Sequence, residues 1–138
     1  MEGTINMQDL RYLNLFNKVT NISTRFCFKY NEIIYFCVPK EMIFRAIGEG
    51  GRNIKRISET FRKRVRIIEY PKTEKDLKKF VEDIVNPVTF KEIEIKDNEI
   101  ILTAGSQSKA SLIGRNKRRL IEMQGIIKDY FGKGFRIQ

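Results

Sequence analysis

Histidine and tryptophan are absent from this 138-residue chain, cysteine occurs only twice and proline three times. Without histidine the commonest general base is missing, and with it any serine–histidine or cysteine–histidine pair. Two cysteines fall short of the four ligands a structural zinc site needs. The carboxylates Glu82, Asp83, Glu92, Glu94 and Asp97 are spaced like solvated faces of a helix and a strand. No nucleophile–base–orienter set is visible among them. The composition therefore predicts no enzyme, no metal, no cofactor and no small-molecule substrate. No apolar run is long enough to span a membrane and no signal-peptide pattern is seen, so no membrane partner and a reducing cytoplasm are expected. There Cys27 and Cys37, on two neighbouring strand-like runs, are expected as packed thiols, not as a disulfide.

Positive charge is plentiful: 27 lysines and arginines stand against 17 acids, a formal net charge of +10. Net charge alone speaks to solubility, so its distribution matters more. Residues 45–66 carry Arg45, Arg52, Lys55, Arg56, Arg62, Lys63, Arg64 and Arg66 against Glu49 and Glu59. Residues 109–119 carry Lys109, Arg115, Lys117, Arg118 and Arg119 with no acid, whereas residues 72–99 hold six lysines and eight acids. Charge gathered in two places is the footprint of a polyanion reader.

Each basic cluster surrounds a glycine turn. In Ala46-Ile47-Gly48-Glu49-Gly50-Gly51-Arg52-Asn53-Ile54-Lys55-Arg56-Ile57 an apolar helix enters the glycines and a basic helix leaves them. Glycine allows a close backbone approach, and the amides opening the next helix present partial positive charge. A Walker loop is excluded, because Arg52-Asn53 stand where lysine and a hydroxyl are needed. A dinucleotide loop is excluded because residues 40–47, between Pro39 and Gly48, read as a helix and not a strand. Helix–Gly-x-x-Gly–helix remains, the arrangement of the KH clamp on single-stranded nucleic acid; a plain helix C-cap would show the same letters.

The pattern returns. Leu112-Ile113-Gly114-Arg115-Asn116-Lys117-Arg118-Arg119-Leu120 aligns without a gap on the segment from Ala46 to Ile54. Residues 25–29 and 33–38 before the first loop, and 88–95 and 99–103 before the second, read as strand pairs around turn residues. A short strand follows each loop, at 65–70 and 135–138. Between the copies Thr73 and Asp76 form a capping box, and Leu77, Phe80, Val81 and Ile84 give the next helix its apolar stripe. The order helix–strand–strand–helix–loop–helix–strand thus occurs twice. Leu120, Met123, Ile127 and Tyr130 or Phe131 are expected as the buried face of the last long helix. Phe26, Phe28, Tyr35 and Phe36 are expected in the core.

On these residues the chain resembles the NusA transcription factors in their short archaeal form, two tandem KH domains of the prokaryotic type II. The resemblance implies an α+β fold, with domains at 1–71 and 72–138, loops at 48–51 and 114–117, and a three-stranded sheet with helices on one face in each. It implies a cytoplasmic factor acting on nascent transcripts in termination or antitermination, with single-stranded RNA and RNA polymerase as partners. The implied RNA-binding residues are Ile47, Gly48, Glu49, Gly50, Gly51, Arg52, Lys55 and Arg56, then Gly114, Arg115, Asn116, Lys117 and Arg118. Bases would face a groove walled by Ile47, Ile54 and the strand 33–38.

Three departures stand out. Glu49 replaces the usual basic residue of the first loop. The second loop keeps Gly114 but has Arg115, Asn116 and Lys117 where the clamp wants two variable residues and a glycine, which points to electrostatic contact and not a close backbone clamp. Bacterial members carry a polymerase-binding domain and an OB-type domain, for which 138 residues leave no room. A ribosome-associated role, or a protein module docking on RNA polymerase, are the competing readings.

Overall fold

A two-residue hairpin turn starts each of the two sheets, and the computed structural model describes residues 7–138. They form two compact units, residues 7–70 and 71–138.

In the first unit α1 (Met7–Thr20) buries Tyr12, Leu13, Phe16 and Thr20, one apolar stripe at helical spacing. The Thr20 hydroxyl donates to the Phe16 carbonyl at 2.8 Å and accepts from the Ile22 amide at 3.1 Å, which closes the helix. β1 (Cys27–Tyr30) and β2 (Ile33–Val38) pair antiparallel around Asn31 and Glu32. Both turn residues have positive φ, 54° and 64°, the twist that a two-residue hairpin requires. β3 (Arg64–Glu69) returns parallel to β2, giving the order β1-β2-β3. The crossover that makes this possible is α2 (Ile43–Ile47), the loop, and α3 (Arg52–Phe61). The segment expected as one helix, 40–47, divides into a 3₁₀ turn at Lys40–Met42 and a short α2.

The helices cover one face of this sheet. Ile34, Phe36, Val38, Val65 and Ile67 cluster there with Phe16, Ala46 and Ile57. The Phe16 and Phe36 rings stack at 4.5 Å. On the other face Tyr35 stacks on Phe28 at 5.0 Å, and Arg66 lies 5.8 Å over the Tyr35 ring while donating to its hydroxyl at 3.1 Å. All six residues of β2 are buried. Tyr35 and Phe36 are fully buried, while Phe26 and Phe28 are half-buried.

The second unit repeats the order. The Thr73 hydroxyl accepts from the Lys75 amide at 3.2 Å and the Asp76 carboxylate from the Thr73 amide at 3.2 Å, completing the capping box. α4 (Leu77–Val85) follows and buries Leu77, Phe80, Val81 and Ile84 as expected. β4 (Glu92–Lys96), β5 (Glu99–Thr103) and β6 (Gly134–Ile137) form a sheet of order β4-β5-β6, with β5–β6 parallel. β4 begins four residues later than the sequence suggests. Pro87 has no amide to give a ladder, and the Val88 amide is bonded back to Val85 at 2.9 Å. α5 (Ser106–Ile113) and α6 (Arg118–Phe131) flank the second loop. α6 buries Met123, Ile127 and Tyr130 as expected, together with Ile126, while Leu120 is only half-buried. The architecture is α+β, two three-stranded sheets each with its helices.

Register decides the cysteines. Cys27 lies opposite Phe36, and the Cys37 amide bonds to the Phe26 carbonyl at 2.9 Å. This one-residue offset puts the two thiols on opposite faces of the sheet, and both are free. Burial, with Asp9 and Cys37 adding to it, pushes the Cys27 thiol up to about 12. The folded chain therefore holds this proton more tightly than the unfolded chain. The stability this contributes is complete below pH 9 and is lost as the pH rises toward 12. At pH 8 alkylation of Cys27 by iodoacetamide is expected to be on the order of a hundredfold or more slower in the folded chain than in denaturant. Labelling at the rate of an ordinary exposed thiol would contradict this packing.

Candidate functional site

Two helices pinned to one sheet by their apolar sides must be joined by a reversal of the chain. In the first unit Ala46 and Ile57 are fully buried, Ile47 and Ile54 are half-buried, and only residues 48–51 separate α2 from α3. Gly48 turns the chain at φ 82°, ψ 160°, followed by Gly50 at φ 64°, ψ 18° and Gly51 at φ 76°, ψ 15°. A Cβ on Gly48 would sit 2.8 Å from Cγ of Asn53 and 3.1 Å from its backbone nitrogen, so only glycine fits. Asn53 in turn donates through Nδ2 to the Arg45 carbonyl at 3.3 Å, tying the start of α3 to the end of α2. The Gly48 amide donates to the Phe44 carbonyl at 3.0 Å and the Gly51 amide to Gly48 at 2.9 Å.

Gly50 and Gly51 face outward. A Cβ at either position would meet nothing within 4 Å. No crowding inside the protein accounts for these two glycines. They leave an open approach to the main chain at the start of α3, where the Gly51 amide donates to the Gly48 carbonyl and the Arg52 amide to the Glu49 carbonyl.

The second loop has the same backbone. Gly114 lies at φ 76°, ψ 171°, Asn116 at φ 56°, ψ 29° and Lys117 at φ 61°, ψ 21°, each angle within about 15° of its counterpart. A Cβ on Gly114 would lie 2.7 Å from Cγ of Arg119, five residues on, just as Asn53 is five residues on from Gly48. The sequence suggests that this loop departs from the first. Its main chain does not; the difference is that two side chains now project where Gly50 and Gly51 leave space.

Charge is arranged differently around the two bends. Glu49, Arg52, Lys55 and Arg56 are exposed, and the three cations at i, i+3 and i+4 share one face of α3. Around the second bend Arg115, Asn116, Lys117 and Arg118 are exposed, so most of the charge sits in the loop itself. At the positions of Lys55 and Arg56 the second copy has Ile121 and Glu122. Glu122 accepts an ion-paired hydrogen bond from Arg119. With Arg115, Asn116 and Arg118 these residues line an open groove of about 400 Å³. Ile121 and Glu122 were legible only by extending the repeat one turn further into α6.

The wall expected from the strand 33–38 is absent. Every residue of β2 is buried, and β2 is the central strand with β1 and β3 on its two edges, so it presents no open surface. Ile47 and Ile54, each half-buried, remain as the apolar border of the first loop.

These contacts rank the glycines. Gly48→Ala is expected to destabilise the chain by about 1–3 kcal/mol, since the Asn53 backbone cannot retreat. Gly50→Asn is expected to cost less than about 1 kcal/mol, because Asn116 holds the same bend in the second loop. Urea denaturation measures both, and equal losses would contradict the assignment.

Residues 34–85 match the KH domain family. The chain is 28% identical over 132 residues to the probable transcription termination protein NusA of Methanococcus vannielii, covering 91% of this chain and 75% of that protein. It is 32% identical over 89 residues to the protein of the same name from Methanocaldococcus jannaschii, covering 64% of this chain and 47% of that one. Among solved structures, the crystal structure of APE1850 shares the fold with a TM-score of 0.69 at 23% identity, over 97% of this chain and 100% of the other. With two sheets of one topology and two loops of one geometry, the chain has the α+β fold of two tandem KH domains of the prokaryotic type and is similar to the two NusA proteins.

Proposed function

We propose that this chain binds single-stranded RNA through the two loops and acts, without catalysis, on nascent transcripts in termination or antitermination. The observation that carries the reading is the repeated bend: Gly48, Gly50 and Gly51 in one copy, Gly114, Asn116 and Lys117 in the other. Each bend sets the positive end of a helix beside clustered cations, which suits a sugar–phosphate chain. In the first unit the Gly48 to Gly51 backbone approaches the strand, Arg52, Lys55 and Arg56 neutralise phosphates, and Ile47 borders the bases. Glu49 opposes this at a cost of about 1 kcal/mol at ~4 Å in water, less with salt. In the second unit Arg115 and Lys117 hold phosphates from the loop and Arg118 from the first turn of α6, while Gly114 and Asn116 keep the loop's shape.

We take residues 1–71 and 72–138 as the two RNA-binding domains. The role in transcription is drawn from the two relatives, both probable transcription termination proteins. A cytoplasmic setting, with RNA polymerase as a second partner, goes with that role. Among the described residues no helix is long and apolar enough to cross a membrane.

With four to six phosphates engaged, log K against log salt is expected to fall with a slope of about −3 to −4 on a single strand. A slope near zero would remove the electrostatic clamp. Replacing Glu49 and Gly50 together by aspartate is expected to abolish binding while lowering stability by only about 1 kcal/mol, since the site at Gly50 is open. Normal binding by that variant would move the site elsewhere. Crosslinking in cells is expected to recover nascent transcripts; recovery of ribosomal RNA instead would replace the transcription role with a ribosomal one.

A further inference from the structure

Phe44 is the one aromatic side chain among the described residues that stands exposed, at 89%. The helix it belongs to explains the direction but not the residue. Ile43, Ala46 and Ile47 turn toward the sheet, which leaves positions 44 and 45 outside. A polar side chain would serve there as well for folding. The equivalent position before the second loop is Ala110, also exposed, so the repeat does not require a ring at this place.

What distinguishes the position is its distance from the first loop. The Phe44 carbonyl receives the Gly48 amide at 3.0 Å, so the ring stands one helical turn before the bend. Arg45 follows it in sequence and Arg52 opens α3 after the bend, both exposed, while Lys40 and Glu41 on the preceding turn offset one another. An exposed ring one helical turn before a cationic bend matches one occupant well: a nucleobase whose own phosphate lies in that bend. Bases of any identity offer a π-face to such a ring.

We propose that Phe44 is a stacking platform for a nucleobase of the strand held at residues 48–51. The two units then divide the work. The first holds backbone and base together, and the second, with Ala110 at that place, holds backbone alone. This rests on the RNA-binding reading of the first loop and adds to it a base contact outside the loop itself.

The test uses the full chain and a short single-stranded RNA carrying 2-aminopurine, with an abasic strand of the same length beside it. Phe44→Ala is expected to weaken binding of the normal strand about 5- to 150-fold, the range of one base–aromatic stack, and to abolish quenching of the probe. It is expected to leave the salt slope, the melting temperature and binding of the abasic strand unchanged. Phe44→Trp should retain the affinity and Phe44→Leu should lose most of it. By contrast, Arg52→Ala should reduce the slope by about 0.7, the loss of one phosphate contact on a single strand. If the wild-type chain binds with the expected slope and Phe44→Ala is indistinguishable from it, the stacking inference fails and the clamp stands. Equal loss on the abasic strand overturns the inference too, as does a Phe44→Ala variant that keeps RNA but no longer retains purified RNA polymerase. If the wild-type chain binds no single strand at all, both readings fall together.

Discussion

The site depends on one steric constraint: the closeness of Gly48 to Asn53 and of Gly114 to Arg119. In each unit two helices are held on a sheet by buried apolar residues, and four residues must reverse the chain between them. That reversal brings the first residue of the bend against the sixth, at separations no Cβ tolerates. Beyond that contact the third and fourth residues of each bend, Gly50 and Gly51 or Asn116 and Lys117, take left-handed backbone, and their outer side is left to solvent. The open approach to the main chain is thus a by-product of packing on the other side. A polyanion site on such a bend is held by the core and not by the loop itself.

The two copies use this constraint differently. At Gly50 and Gly51 nothing stands above the backbone, and the cations lie on the helix beyond. At Asn116 and Lys117 the same conformation is held by residues with side chains, at a cost on the order of 1 kcal/mol for a residue such as lysine. What that conformation brings to the second unit is charge in the bend, where Arg115, Lys117 and Arg118 are exposed. The helix after it has isoleucine and glutamate where the first has lysine and arginine. One copy offers its main chain and the other its side chains to the same kind of ligand.

Much of this was legible in the sequence because the repeat supplies its own comparison. The order of elements, the two glycine turns, the capping box at Thr73 and the apolar stripe of α4 all rest on local spacing, and local spacing survives folding. What was not legible depends on partners distant in sequence. β2 reads as a strand with one open face, but the aromatic pairs of Tyr35 with Phe28 and Arg66 close the other. The late start of β4 follows from where the Val88 amide is bonded. The separation of Cys27 from Cys37 follows from the register set by a turn of only two residues, Asn31 and Glu32, where the sequence pattern ends the first strand at residue 29. The left-handed Lys117 was hidden for a different reason: lysine is a poor predictor of that conformation, and only the alignment on Gly51 would have revealed it.

The most direct test of the account is an amide NMR titration of the full chain with a short single-stranded RNA. The account places the ligand at both bends, against the main chain at the first and against the side chains at the second. It predicts that the amides of residues 48–55 and 114–120 shift together and early, while those of the acidic stretch 72–99 do not. Shifts confined to that stretch, or to one sheet with both bends unmoved, would contradict it.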